Sequence, residues 1–365
     1  MVEKLAFFSI LLVVGGLAAC SPNESVHTYS IEGVVHGVPD SLPIYLRDAL
    51  TNQDIDSAVV TDSTFSFSGS VQYPKQLRLI YDGPLVSYSH EVWVEDGKTT
   101  VRAHWEDMYN VQVAGGVQQQ LADEVNAEME TWEAEHELPF YNPFLYDLDE
   151  EKLNELMNYR LREQTAHWLP LVLRRANSYY GVMSLFQRRD NIKRPVLEAA
   201  FAAMDPQIQK SPYGKGLKQY LEQDTLGVGD RFVDFPLVNL AGESVRLSDY
   251  VGKDRPTLLV FGALGHIRQY HRDLIGAMQY QFGDSVNVLG YNLAPNMDMF
   301  LADTAWYHGV PLVTDFEREL SPMVIQYDAI QMPMVYVFDE KGVIRLRSQE
   351  YSDEAHALAL RLSAE

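Results

Sequence analysis

The chain has 365 residues, 46% hydrophobic and 22% charged, which is enough apolar material for two or three packed domains and argues against a disordered chain. A formal net charge of −22 opposes a phosphate backbone and an anionic lipid surface, so nucleic acid and charge-driven membrane docking are poor candidates for partners. A single cysteine, Cys20, rules out an internal disulfide framework.

Lys4 precedes an apolar run from Leu5 to Val14, followed by Gly15-Gly16. The run is too short to span a bilayer and reads as a signal-peptide core. It ends in Leu17-Ala18-Ala19-Cys20, which resembles the lipobox of bacterial lipoproteins. That resemblance implies cleavage before Cys20, a diacylglycerol on its sulfur and acylation of the new amino terminus. Several acyl chains hold a protein stably at a membrane where one is marginal. Residues 1–20 are therefore expected to be a lipoprotein signal peptide and 21–28 a polar tether, reaching roughly 28 Å when extended. The expected location is the cell envelope, lipid-anchored to the outer membrane on its periplasmic face.

From Tyr29 apolar residues recur with period two: Tyr29, Ile31, Gly33 and Val35; Ile44 and Leu46; Phe65, Phe67 and Gly69; Leu77, Leu79 and Tyr81; Val92 and Val94; Val111 and Val113. Turn chemistry at Gly37 to Pro43, Asp82-Gly83-Pro84 and Asp96-Gly97 separates these runs. The pattern predicts an antiparallel β-sandwich over residues 29–115, its aromatics serving as core. The order Ile31-Glu32-Gly33, Ile44-Tyr45-Leu46, Asp56-Ser57 and Phe65-Ser66-Phe67-Ser68-Gly69 resembles DUF4369, a β-domain of unknown function that precedes thioredoxin-like domains in lipoproteins of Bacteroidota.

Residues 116–224 carry helical periodicity. Asp147 followed by Glu150 looks like a capping box, after which Leu153, Leu156, Met157, Leu161 and Trp168 share one face. Pro170 is expected to kink or end that helix, with Leu171 to Arg189 as the next and two shorter helices at Pro195 to Met204 and Gly216 to Gln223. The acids between Glu124 and Glu137 read as a solvated helix face. His136 between Glu135 and Glu137 is no chelate, because adjacent helical residues point different ways.

Residues 225–365 begin with Gly229-Asp230, Phe232-Val233-Asp234-Phe235 and Leu247-Ser248-Asp249-Tyr250. Thr257 to Phe261 and Val286 to Tyr291 are apolar runs that predict buried strands. Leu312-Val313-Thr314-Asp315 precedes a short helix, Met332-Pro333 opens another strand, and Asp339-Glu340-Lys341-Gly342 turns a hairpin. This order resembles a thioredoxin-like α/β fold of the TlpA and alkyl-hydroperoxide-reductase-like type. In that family the central strand leads into a Cys-x-x-Cys motif at a helix N-terminus, and a cis-proline lies beside it. Aligned on Phe261 and Ala263, the two cysteine positions here are His266 and Gln269, and the cis-proline is Pro333, preceded by Met332.

Disulfide exchange needs one thiolate to attack and another thiol to resolve, and no residue from 225 to 365 is cysteine. At a helix N-terminus His266 is expected to be neutral near pH 7, as a surface residue or a hydrogen-bonding contact. The resemblance implies that the residue before the cis-proline offers backbone groups to an extended peptide, and such pairing needs no thiol. The sequence thus points to a lipid-anchored envelope protein with a redox-inactive thioredoxin-like domain that binds or scaffolds a peptide or protein at Met332-Pro333. No cofactor, metal site or catalytic residue is expected. The alternative by resemblance is a thiol-disulfide oxidoreductase or peroxiredoxin-like enzyme.

Overall fold

A computed structural model describes residues 26–38, 40–136, 150–262, 273, 276, 280, 285–302 and 309–364. The first eight strands are β1 (His27–His36), β2 (Pro43–Asp48), β3 (Asp54–Val59), β4 (Thr64–Val71), β5 (Lys75–Asp82), β6 (Ser87–Val94), β7 (Gly97–His104) and β8 (Gln112–Ala114). They form two four-stranded sheets, ordered β4-β1-β7-β8 and β3-β2-β5-β6. The alternating apolar residues of both sheets meet in one core that includes Ile31, Val35, Ile44, Leu46, Phe67, Leu79, Tyr81 and Val101. Gly33 lies opposite Phe65, and a Cβ there would fall 2.0 Å from the ring, so the aromatic ring fills the space a side chain would take.

The purely antiparallel expectation needs correcting. β1 pairs antiparallel with β4 but parallel with β7. The chain leaves through the β5–β6 hairpin of the other sheet before returning, and a crossover of that length allows the same direction. Strands β3 and β7 also lay outside the period-two reading. β3 is exposed at nearly every position, and β7 buries Thr99, Val101 and Ala103, a set too polar and small to stand out.

The middle of the chain is α1 (Val117–His136), α2 (Glu150–Leu173), α3 (Tyr179–Gln187), α4 (Arg194–Ala202), α5 (Pro206–Gln209) and α6 (Pro212–Glu222). Asp147 lies outside the described residues. Of the face expected on α2, Trp168 is buried and Leu153, Leu156 and Met157 are half-buried, whereas Leu161 is exposed. Pro170 does not end α2, which runs on to Leu173. The lost hydrogen bond is offset because the continued turn buries Leu171 and Val172. The break comes at residues 174–178, where Ser178 caps α3 by accepting from Gly181 N at 3.0 Å. The helical core also takes in Trp93 from β6 and Ile325 from the C-terminal part, so this segment packs against both neighbours.

The C-terminal part contains β9 (Pro236–Asn239), β10 (Ser244–Arg246), β11 (Thr257–Phe261), β12 (Asn287–Tyr291), α7 (Met297–Ala302), β13 (Leu312–Thr314), α8 (Pro322–Gln326), β14 (Met334–Phe338), β15 (Ile344–Ser348) and α9 (Asp353–Leu362). One mixed sheet has the order β10-β9-β13-β12-β11-β14-β15. β11, β12 and β13 run parallel, while β14 and β15 continue the sheet antiparallel. Leu258, Val260, Val335 and Val337 face one layer of core, and Leu259, Phe261, Tyr336 and Phe338 face the other. Burial on both sides explains the continuous apolar runs. This is the thioredoxin-like arrangement. Among the described residues no helix is long and apolar enough to cross a membrane.

Candidate functional site: the Met332–Pro333 edge

The loop carrying Met332 starts from α8. Ser321 Oγ caps that helix by accepting from the N–H groups of Met323 and Val324, both at 3.1 Å, and it donates to Asp315 Oδ2. The helix ends at Gln326. Asp328 then takes a left-handed φ of 48°, and Ala329 N returns to Val324 O at 2.9 Å. The Met332–Pro333 peptide bond is cis. β14 follows at once, with Met334 paired to Phe261 at the end of the central strand.

Met332 therefore sits beside the end of β11. Gly262 has a φ of +98°, and a Cβ there would meet Met332 Cβ at 3.0 Å, so glycine is needed for both conformation and close approach. Met332 is half-buried, and neither its N–H nor its C=O is hydrogen-bonded to another described residue. Unpaired backbone groups of this kind are what an added strand uses.

The loop is firmly backed. Phe261, Tyr291, Tyr327 and Tyr336 pack beneath it, with ring centroids 5.2–6.0 Å apart in successive contacts. Tyr336 donates its hydroxyl to Tyr327 O, and Arg347 Nε donates to the Tyr336 oxygen at 2.9 Å. The same guanidinium donates to Asp328 Oδ2 at 2.9 Å and Asp328 O at 3.3 Å. One arginine on β15 thus ties the turn to the hairpin. Burial pushes the Tyr336 hydroxyl up to about 12, against the pull of Arg347. Burial also raises the Asp328 carboxyl above its ordinary value, against Arg347 and Arg189.

Arg189 comes from the helical segment and is fully buried. Its Nη1 donates to Phe186 O at 2.9 Å, and its guanidinium lies 4.0 Å from the Phe186 ring centroid. Its Nε and Nη2, and Oδ1 of Asp328, have no partner among the described residues. Next to it, Asp190 Oδ2 accepts from Gln331 Nε2 at 2.5 Å, so the residue before Met332 is held by the helical segment.

Of the residues singled out in the sequence, Met332 and Pro333 are brought to this edge. Cys20, His266 and Gln269 lie outside the described residues, as does Ala263. His136 is described: its Nδ1 contacts Trp132 O at 2.7 Å and its ring stacks on Trp132. Among the described residues no group of His, Cys, Asp or Glu could hold a metal ion. The sequence reading missed Arg347, Asp328, Tyr336 and Arg189. The alternation of Arg345 and Arg347 with Ile344 and Leu346 marks a polar face on β15, but nothing local ties it to Asp328.

The N-terminal sheets lead straight into α1. Gln119 Oε1 accepts from Trp93 N at 2.9 Å on β6, and Glu95 Oε1 accepts from Gln118 N at 2.7 Å. Residues 29–122 match the family model of a domain of unknown function, DUF4369. The DUF4369 match runs past residue 115 into α1, through the two glutamines that bond to the β6 side of the sandwich.

No curated protein matches the chain. Similar solved structures include the thioredoxin domain of a thiol-disulfide oxidoreductase from Bacteroides vulgatus, at 15% identity, covering 38% of this chain and 99% of that chain, with a TM-score of 0.34. The C-terminal domain of a putative thiol-disulfide oxidoreductase from Bacteroides thetaiotaomicron has 18% identity, covers 38% and 97%, and has a TM-score of 0.33. A peroxiredoxin-like protein from Aquifex aeolicus has 14% identity, covers 38% and 89%, and has a TM-score of 0.31.

Proposed function

We propose that this is a lipid-anchored envelope protein whose thioredoxin-like domain binds an extended segment of a peptide or protein partner at the Met332–Pro333 edge, without thiol chemistry. The observation that carries this reading is that the N–H and C=O of Met332, beside a cis-proline, have no hydrogen-bond partner among the described residues, on a loop held from behind by Arg347 and Tyr336. A rigid edge lowers the ordering cost of binding an extended chain. The half-buried side chain of Met332 suits an adaptable contact, whereas Met334 is buried in the core behind it. The absence of cysteine from residues 225–365 supports a role other than disulfide exchange. The proposed anchor is acylated Cys20, at the periplasmic face of the outer membrane.

The test is photo-crosslinking in cells, with the crosslinker at Met332 and, as control, at the exposed Glu354 on α9. One discrete protein adduct at Met332 that is absent at Glu354 is expected. No specific adduct at Met332, or turnover in a disulfide-reduction assay with the purified chain, overturns the reading. Metabolic labelling with an alkyne fatty acid tests the anchor: label is expected on the wild type and lost in Cys20→Ser.

A further inference from the structure

A cavity of about 410 Å³ opens where the edge strand β6 meets α1 and α3, far from the Met332 loop in sequence. This volume falls within the range of roughly 300–1,000 Å³ typical of small-molecule sites. Because β6 is the last strand of its sheet, side chains from both of its faces reach the opening, His90 from one and Trp93 from the other. The floor is aromatic and apolar: Trp93, Trp168, Tyr180 and Met183 are all buried. The rim is polar and comes from three elements. Glu91 stands on β6, Asp123 and Asn126 on α1, and Arg188 just beyond α3, its guanidinium 4.4 Å from the Trp168 ring centroid.

Two polar atoms of the lining are unsatisfied. Trp93 is 3% exposed, yet its Nε1–H has no hydrogen-bond partner among the described residues, and His90 Nε2 has none either. Whether His90 Nε2 donates or accepts depends on the tautomer of the ring. The lining therefore leaves one donor, Trp93 Nε1–H, and one imidazole nitrogen without a partner among the described residues. Hydroxyl groups can accept from the first and either donate to or accept from the second, whereas a carboxylate can only accept and an ammonium group can only donate. Two rim acids against one rim arginine disfavour an anion. Planar carboxylate, amide and guanidinium groups around an aromatic floor match adjacent hydroxyls on an otherwise apolar ring.

We propose that this cavity binds a neutral polyhydroxylated ligand, a mono- or disaccharide. The test is saturation-transfer NMR on the full chain in a sugar-free zwitterionic detergent. Probes are glucose, galactose, mannose, N-acetylglucosamine, maltose and cellobiose, with glutamate and citrate as charged counter-probes. Transfer to at least one sugar is expected, and not to the charged probes. In the double variant Asp123→Asn/Asn126→Ala, affinity for that sugar falls at least about tenfold, the loss of one or two ligand hydrogen bonds. Both positions are exposed, so an unchanged thermal melt shows that the variant is folded. Transfer to none of the sugars, equal transfer in the folded variant, or transfer to the charged probes alone overturns the proposal.

Discussion

Asp48 shows how a single side chain at the end of a strand fixes a turn. It is buried, which alone would raise its pKa, but a hydrogen bond from Lys75 and the N–H groups of Thr51 and Leu50 hold it below the usual carboxylate range. A folded-state pKa below the unfolded value contributes stability that is present above the unfolded pKa and is lost as pH falls through the folded one. Asp48→Asn is therefore expected to lose about 1–3 kcal/mol at pH 7. Wild type and variant should converge in urea denaturation as the pH drops below the ordinary aspartate range. A gap that persists in strong acid would show that charge is not the cause. At this scale the sequence was least informative. Asp48 and Lys75 are 27 residues apart, and Arg347 and Asp328 are 19 apart; neither pair leaves a local pattern, because each is made by strand pairing and tertiary folding.

Elements were legible in proportion to how one-sided or how completely buried they are. β11, β12 and β14 show as apolar runs because both faces of the sheet are covered, and β1, β4 and β5 show as clean alternation because one face is solvated. β3 was invisible because almost nothing on it is buried. At Pro170 local chemistry called for a kink or a stop, and the helix does not stop there, because the burial of Leu171 and Val172 carries it on to Leu173. Since Pro170 is itself exposed, Pro170→Ala should restore the missing helical hydrogen bond at little packing cost. We expect it to raise stability by about 1–3 kcal/mol, read as a higher Tm in a thermal melt. An unchanged or lower Tm would show that the proline shapes the packing of α2 against its neighbours. The cis-proline loop was legible through Met332-Pro333 ahead of an apolar run, and its arginine support was not.

On the scale of the molecule, the N-terminal sandwich and the C-terminal part also touch directly, through the connection between β13 and α8. Arg318, at a φ of 51°, donates Nη1 to Ala49 O at 3.1 Å and to Leu50 O at 2.6 Å, in the turn between β2 and β3. Tyr73 and Tyr179 stack at 6.4 Å between the sandwich and the helices, and Tyr213 donates to Glu319 Oε1 at 2.9 Å between the helices and the C-terminal part. These joins were beyond the reach of periodicity, which describes what each segment buries and not which neighbour covers it. Arg318→Ala leaves two carbonyls of the β2–β3 turn without their donor. Hydrogen exchange at residues 49–52 is expected to speed up by about tenfold or more, while β1 and β5 keep their protection. Unchanged exchange in the turn would mean that the contact does not hold the two parts together.

The mixed pairing around β1 has a mechanical consequence. β1 lies inside its sheet, between β4 and β7, with ladders on both sides over most of its length. A tug on the chain just before His27 runs along the strand axis and loads both ladders in shear, so many backbone bonds resist together. Had β1 been an edge hairpin strand pulled from its open end, the same force would have peeled the bonds one at a time. A domain tethered by its first strand to a moving surface is, in this geometry, gripped where it is hardest to pull apart.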